Sequence, residues 1–138
     1  MDAAPAGTCR RHRLPKRALL RKTAEYAVVY RQGKRVRGAH FTIIFAANGR
    51  EYCRLGVSVH GVKKAVRRNR IKRIIREYFR LERDALQRAL TGNDTSAGLD
   101  IVFAVRREFA ALSLAEFRGA VEQALAKRRG RRGGQAAR

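Results

Sequence analysis

Between Lys63 and Arg80 the chain reads KKAVRRNRIKRIIREYFR, nine basic residues against one acid, and this stretch constrains the fold more than any other. Laid on a helix at about 100° per residue, Ile71, Ile74, Ile75, Tyr78, Leu81, Ala85 and Ala89 form one stripe, while Asn69, Lys72, Arg73, Arg76, Arg80 and Arg83 gather on the opposite side. The spacing predicts a long helix anchored by one face and presenting arginine with the other.

That arginine face is out of balance. A helix that needs only solubility mixes Glu with Lys at i,i+4, gaining about 0.2–0.5 kcal/mol per pair, whereas like charges repel by similar amounts. Glu77, Glu82 and Asp84 are too few to neutralise the stretch. A polyanion supplies the missing charge, and Arg76 to Arg83 spans roughly two turns, or ~10 Å, enough to meet successive phosphates. The whole chain repeats the bias, with 33 Lys and Arg against 11 Asp and Glu and a net charge of +22 over 138 residues. Such a molecule repels itself and adheres to polyanions, so nucleic acid is the expected partner. A membrane is the weaker reading, because no apolar run approaches the ~20 residues of a spanning helix and the N-terminal arginines precede no apolar stretch. Length and a hydrophobic content of 45% predict one cytoplasmic domain with a modest core.

Around the basic helix the elements follow from local pattern. Residues 1–13 and 127–138 are small and basic without periodicity and are expected to be disordered basic tails, leaving 14–126 as a single nucleic-acid-binding domain. Thr23 is placed to cap a short helix carrying Tyr26 and Tyr30 on one face and ending at Gly33. HFTIIFAA at 40–47 alternates with period two, Asn48-Gly49 is a hairpin turn signal, and CRLGVSV at 53–59 is the expected partner strand. Phe41, Ile43, Phe45, Leu55, Val57 and Val59 would face the core, leaving Thr42, Ile44, Arg54, Gly56 and Ser58 on the other side. TGNDTSAG at 91–98 reads as a loop and DIVFAV at 100–105 as a buried strand. Ser113 with Glu116 forms a capping box for a last helix with Leu114, Phe117, Val121 and Leu125 as its stripe. A strand, a long helix and a second strand can form a parallel crossover, whose usual hand is right, with the first and last helices covering one sheet face.

The chemistry expected of an enzyme is missing. The acids are dispersed, without the close carboxylates that two-metal phosphodiester cleavage needs. Cys9 and Cys53 stand far apart with neither a CxxC spacing nor a disulfide framework, and His12, beside Cys9, lacks two further zinc ligands. His40 and His60 have no evident carboxylate partner. Binding chemistry is plentiful instead: the arginine helix, the Tyr26 and Tyr30 pair that either closes the core or stacks unpaired bases, and basic residues such as Lys34, Arg35, Arg37, Arg50, Lys63 and Lys64 in loops. Asn69 can cap the helix locally or bind a base edge or a metal-bound water.

Read as a string, Arg68-Asn69-Arg70-Ile71-Lys72-Arg73 with Arg76-Glu77 and Phe79 resembles the RNR motif of the bacterial ribonuclease P protein component. The Tyr26 and Tyr30 helix ending at Gly33, the strand around Phe41, RLGVSV before the motif and DIVFAVRR after it extend the resemblance over about residues 13–129. The resemblance implies a two-layer α+β (α/β) sandwich in the order helix, strands, helix, strand, helix, of the type also seen in the second domain of a small-subunit ribosomal protein, with a left-handed rather than right-handed βαβ crossover. It implies a binding subunit that carries no active site of its own and assists a catalytic RNA, whose own active site requires Mg²⁺, in removing the 5′ leader from precursor tRNA. Catalytic-RNA contacts carry over to Lys63, Lys64, Arg67, Arg68, Asn69, Arg70, Lys72, Arg73, Arg76 and Arg80, and leader contacts to Tyr26, Tyr30, Thr42, Ile44 and Ser58. Two places depart from the family pattern: Ile44 stands where an aromatic is frequent, and Ser58-Val59-His60-Gly61 replaces the usual Ser-x-Lys-Lys turn. A structural ribosomal or general RNA-binding protein is the alternative, since composition alone does not separate the two.

Overall fold

The computed structural model describes residues 15–38, 40–92, 98–107, 109 and 113–136, with the backbone alone for 129–136. After a 3₁₀ turn over Lys16–Ala18, the elements run α1 (Thr23–Gln32), β1 (Lys34–Arg37), β2 (Phe41–Ala47), β3 (Arg54–Val59), α2 (Ala65–Thr91), β4 (Leu99–Val105) and α3 (Leu114–Ala136). The predicted N-terminal tail lies outside the described residues. Over the predicted C-terminal tail the α3 backbone runs on as helix through Ala136.

One sheet holds all four strands in the order β1-β2-β4-β3. β3 and β4 are parallel and joined by α2, the crossover expected from the sequence, while β4 pairs antiparallel with β2. The predicted hairpin between 40–47 and 53–59 is therefore not formed. Six of the seven β4 residues are buried, and a strand apolar on both faces belongs in the middle of a sheet rather than at its edge. The Asn48-Gly49 turn exists, with Gly49 at a φ of 70°, but it holds the gap open for β4. Asn48 donates from Nδ2 to Tyr52 O at 3.1 Å and to Asp100 Oδ1 at 2.9 Å, and its N–H donates to Gly98 O. The sheet also gains β1, read from sequence as loop: only Val36 points inward, and three exposed basic residues occupy the rest of this edge strand, a composition that discourages further pairing.

The main core fills one face of the sheet. Phe41, Ile43, Phe45, Leu55, Ile101, Phe103 and Val105 meet Ile71, Ile75, Tyr78 and Phe79 of α2 and Phe117, Val121 and Leu125 of α3. Phe117 is the hub, with ring centroids 5.3–5.7 Å from Tyr78, Phe41, Phe103 and Phe109. The capping box starts α3 as predicted, Ser113 N–H donating to Glu116 Oε1 and Glu116 N–H to Ser113 Oγ. In α2 the apolar stripe differs from the predicted one. Phe79 is fully buried, Leu81 and Ala85 are exposed, and Leu86 and Leu90 carry the stripe onward. Counted at 100° per residue, the buried Ile71, Ile75, Tyr78, Phe79, Leu86 and Leu90 share one arc that leaves Leu81 and Ala85 at its outer side; the stripe is centred further round the helix than predicted, and it continues across the non-helical backbone of Glu82 (φ −114°, ψ 15°).

α1 lies on the opposite face, not beside α3 as expected. There Leu20, Val29, Ile44 and Val102 form a second, smaller cluster with Tyr26, Tyr30 and Ala104 packed against it. Gly33 ends α1 for steric rather than conformational reasons: its φ is an ordinary −77°, but a Cβ there would stand 2.4 Å from Val29 O and 2.7 Å from Ile44 Cγ2. Glu25, not Thr23, caps the other end, its Oε1 accepting the N–H groups of Arg21 and Lys22 at 3.1 Å each. Its Oε2 accepts from Arg54 Nη1 at 2.9 Å, and Arg54 forks onto Asp100 from Nε at 2.8 Å and Nη2 at 2.7 Å. The Arg54 and Asp100 side chains are each 11% exposed.

Removing one partner of a buried, bidentate pair leaves an uncompensated charge, at a cost of about 3–5 kcal/mol. Asp100→Asn is expected to lower stability by that order in urea denaturation; a loss below about 1 kcal/mol would mean the fork is not anchoring the fold. The backbone N–H groups of Arg21 and Lys22, aided by Arg54, hold the Glu25 carboxyl at about 2 against an ordinary 4.5. A carboxyl depressed in the folded state stabilises above its unfolded pKa and loses that contribution as pH falls through the folded one. Stability is thus expected to decline from pH 4.5 towards 2, and the decline should be shallower in Glu25→Gln; equal slopes would contradict this role.

Candidate nucleic-acid interface

The turn into α2 is built at Gly61, whose φ of 78° favours glycine and whose Cβ, if present, would sit 3.2 Å from Arg107 Cβ. Lys63 and Lys64 follow, exposed, with Lys64 at the N-cap. Arg67, Arg68, Asn69, Arg70, Arg73 and Arg76 are exposed and Lys72 half-buried, and none of these cations forms an ion pair among the described residues. Asn69 lies inside the helix rather than at its cap, so the local-capping reading does not apply. Arg80 departs from the predicted set: Nε donates to Glu77 Oε1 at 3.1 Å and Nη2 pairs with Oε2, so its charge is already answered on the helix. Arg118 likewise pairs with Glu82 at 3.1 Å. The uncompensated charge is therefore concentrated at the N-terminal end of α2.

The second candidate surface is the α1 side of the sheet, where cross-strand register sorts residues into rows. Arg54, Asp100 and Ala46 form the first, closed by Glu25 from α1. Arg35, Ile44, Val102 and Gly56 form the second, under Val29 and Tyr26. Gly56 is required there, because a Cβ would meet Tyr26 Cε1 at 2.7 Å. Arg37, Thr42, Ala104 and Ser58 form the third row, beyond the span of α1 and partly exposed.

Tyr26 and Tyr30 stand half-buried along this edge. The Tyr26 hydroxyl donates to Leu20 O at 3.4 Å and accepts the Val57 N–H at 3.3 Å. Burial pushes its pKa up, with the Val57 N–H and the charge of Arg76 acting the other way. Arg35 Nη2 donates to Tyr30 O at 3.1 Å, and the Ser58 hydroxyl is 2.9 Å from His60 Nε2.

Of the residues predicted to touch a leader, Thr42 and Ser58 lie in the open row and Tyr26 and Tyr30 beside it. Ile44 does not: it is 1% exposed and is floor rather than contact surface, because α1 covers its row. Arg37, paired with Thr42 across β1 and β2, and His60, beside Ser58, also belong to the open end; Ala104 escapes a sequence reading, since it meets Thr42 and Ser58 only once β4 lies between β2 and β3. Cys53 is buried, which pushes its thiol up. Cys9 and His12 lie outside the described residues. Among the described residues no group of three or more His, Cys, Asp or Glu is placed to hold a metal, and no helix is long and apolar enough to cross a membrane.

A mixed α/β domain with an uncompensated arginine helix beside a half-open sheet defines an RNA-binding protein, and comparison with known proteins specifies which kind. The family model for ribonuclease P matches residues 14–129. The ribonuclease P protein component of Desulfotalea psychrophila is 52% identical over 112 residues, covering 80% of this chain and 86% of that protein; that of Thermotoga maritima is 32% identical over 94 residues, covering 67% and 73%. The solved RNase P protein of Staphylococcus aureus superposes with a TM-score of 0.64 at 25% identity, covering 79% of this chain and 93% of that one. The T. maritima RNase P protein gives 0.61 at 29% identity, covering 78% and 94%. The chain belongs to the ribonuclease P protein component family, and with it to the RNA-binding machinery of bacterial tRNA processing and to an endoribonuclease complex.

Removing one phosphate-binding cation lowers the slope of log affinity against log salt by about one. Arg73→Ala is expected to lower that slope by about one in binding to a bacterial ribonuclease P RNA, and Arg80→Ala by less because Glu77 already holds Arg80. Equal effects from the two variants would contradict the charge map.

Proposed function

We propose that the chain is the binding subunit of ribonuclease P, with the catalytic centre in the RNA. The N-terminal half of α2, from Lys63 and Lys64 through Arg76, lies on the catalytic RNA. The open row of Thr42, Ala104 and Ser58, walled by Tyr26 and Tyr30, takes the single-stranded 5′ leader of precursor tRNA. The observation that carries this reading is the contrast along α2: Arg80 and Glu82 are paired within the protein, while the cations from Lys63 to Arg76 have no carboxylate partner among the described residues. Phosphates complete them. Several carboxylates are engaged in the fold, Glu25 and Asp100 on Arg54, Glu77 on Arg80 and Glu116 on Ser113 N–H. Mg²⁺ belongs to the RNA in this reading, and no side chain of the protein is assigned to it.

The leader assignment rests on shape and chemistry. α1 packs over two rows of the sheet and leaves the third partly exposed, with small or hydroxyl side chains at Thr42, Ala104 and Ser58 and with Tyr26 and Tyr30 half-buried beside it. Unpaired bases stack on aromatic side chains for ~1–3 kcal/mol each whatever their sequence, which suits leaders of varied sequence. Arg37, exposed at one end of the row, places positive charge at its margin.

Reconstitution tests both parts. With a bacterial ribonuclease P RNA at low Mg²⁺, the wild-type protein is expected to support removal of the leader from precursor tRNA; cleavage by the protein alone would overturn the assignment of catalysis to the RNA. Tyr26→Leu with Tyr30→Leu, which keeps apolar volume under α1, is expected to weaken binding of leader-bearing precursor by about tenfold while leaving mature tRNA unchanged. Equal losses on the two substrates would remove the tyrosines from the leader site.

A further inference from the structure

A groove of about 550 Å³ lies between the outward side of α2 and the start of α3, lined by Val66, Asn69, Arg70, Arg73, Ile74 and Ser113. Its volume is within the ~300–1,000 Å³ of small-ligand sites. Resting on the reading of α2 as the catalytic-RNA face, we propose that this groove takes one unstacked nucleotide of that RNA, with the base against Val66 and Ile74 and the flanking phosphates on Arg70 and Arg73.

Val66 is the first reason. It is 83% exposed, contributes nothing to the core, and interrupts a run in which Lys63, Lys64, Arg67, Arg68 and Arg70 are all cationic. Isolated exposed valines are ordinary, but this one is not isolated within its surface. Val66, Asn69, Arg70, Arg73 and Ile74 follow the i, i+3, i+4, i+7, i+8 spacing that places them on one side of the helix. Two aliphatic groups are thus set about two turns apart with an amide and two guanidinium groups between them. A surface that only neutralised phosphates would need the guanidinium groups and not the aliphatic ones.

The polar groups complete a nucleotide's requirements. Arg70 and Arg73 have no carboxylate partner among the described residues, and a guanidinium can also stack on a base plane. The Asn69 amide offers a donor and an acceptor to a base edge. The Ser113 hydroxyl accepts Glu116 N–H at 3.1 Å and keeps its own proton to donate. Sequence-specific recognition of RNA by proteins targets unpaired nucleotides, whose bases are free to leave the stack. A continuous duplex would offer only its backbone here.

The test is an uncharged substitution. Val66→Ser is expected to weaken binding of an in vitro transcribed bacterial ribonuclease P RNA by about tenfold, the order for losing the burial of one valine side chain against the base, with the salt slope unchanged. Val66→Ile should retain the affinity. Wild-type affinity in Val66→Ser, or weaker binding accompanied by a shallower slope, overturns the base pocket while leaving α2 as the RNA face. No binding by the wild-type protein overturns the RNA-face reading and the pocket with it.

Discussion

The fork of Arg54 onto Asp100 is the contact from which the rest of the arrangement follows. It joins β3 to the start of β4, and Asn48 donates to the same carboxylate, so the turn after β2 is fixed to the strand that separates β2 from β3. Through Glu25 it also fixes the N-terminal end of α1. One guanidinium therefore ties β3 to β4, shares the carboxylate that holds the turn after β2, and positions the helix whose tyrosines edge the open row. In a chain of +22 net charge, a nearly buried Asp100 and a partly exposed Glu25 around one arginine are a specific use of scarce acids. The desolvation cost of such a cluster is tolerable because each guanidinium nitrogen has a carboxylate oxygen to donate to.

The same scarcity shapes the surface. Carboxylates engaged at Arg54, Arg80, Arg118 and the α3 cap are not available to the first turns of α2, which carry cations without partners among the described residues. Self-repulsion there weakens the isolated protein, and a bound polyanion relieves it while stabilising the folded state by mass action. Affinity for RNA is in this sense built into the distribution of eleven acids as much as into the arginines.

Much of this is legible from local pattern, and the failures share a cause. The α2 segment, the Ser113 capping box and the three longer strands each announce themselves over a few residues. The strand order does not: Asn48-Gly49 carries a hairpin signal, and only the burial of β4 on both faces explains why β2 and β3 part to admit it. β1 is hidden because Lys34, Arg35 and Arg37 leave Val36 as its one inward residue. Periodicity correctly puts Ile44 on the face opposite Ile43 but cannot say that α1 covers it, so a buried residue enters the predicted leader set. The arginine face is legible because net charge is local; the pairing of Arg80 with Glu77 lies in the same stretch and needs only the i,i+3 spacing to be weighed. Ala104 is not legible at all, since its membership of the open row is a matter of register.

The division of labour, with α2 on the catalytic RNA and the open sheet row on the leader, is the central claim. Photocross-linking from precursor tRNA carrying 4-thiouridine in its leader, in the reconstituted complex, tests it most directly. Cross-links are expected to α1 around Tyr26 and Tyr30 and to β2 and β3 around Thr42 and Ser58. Leader cross-links confined to the arginines of α2 would contradict it.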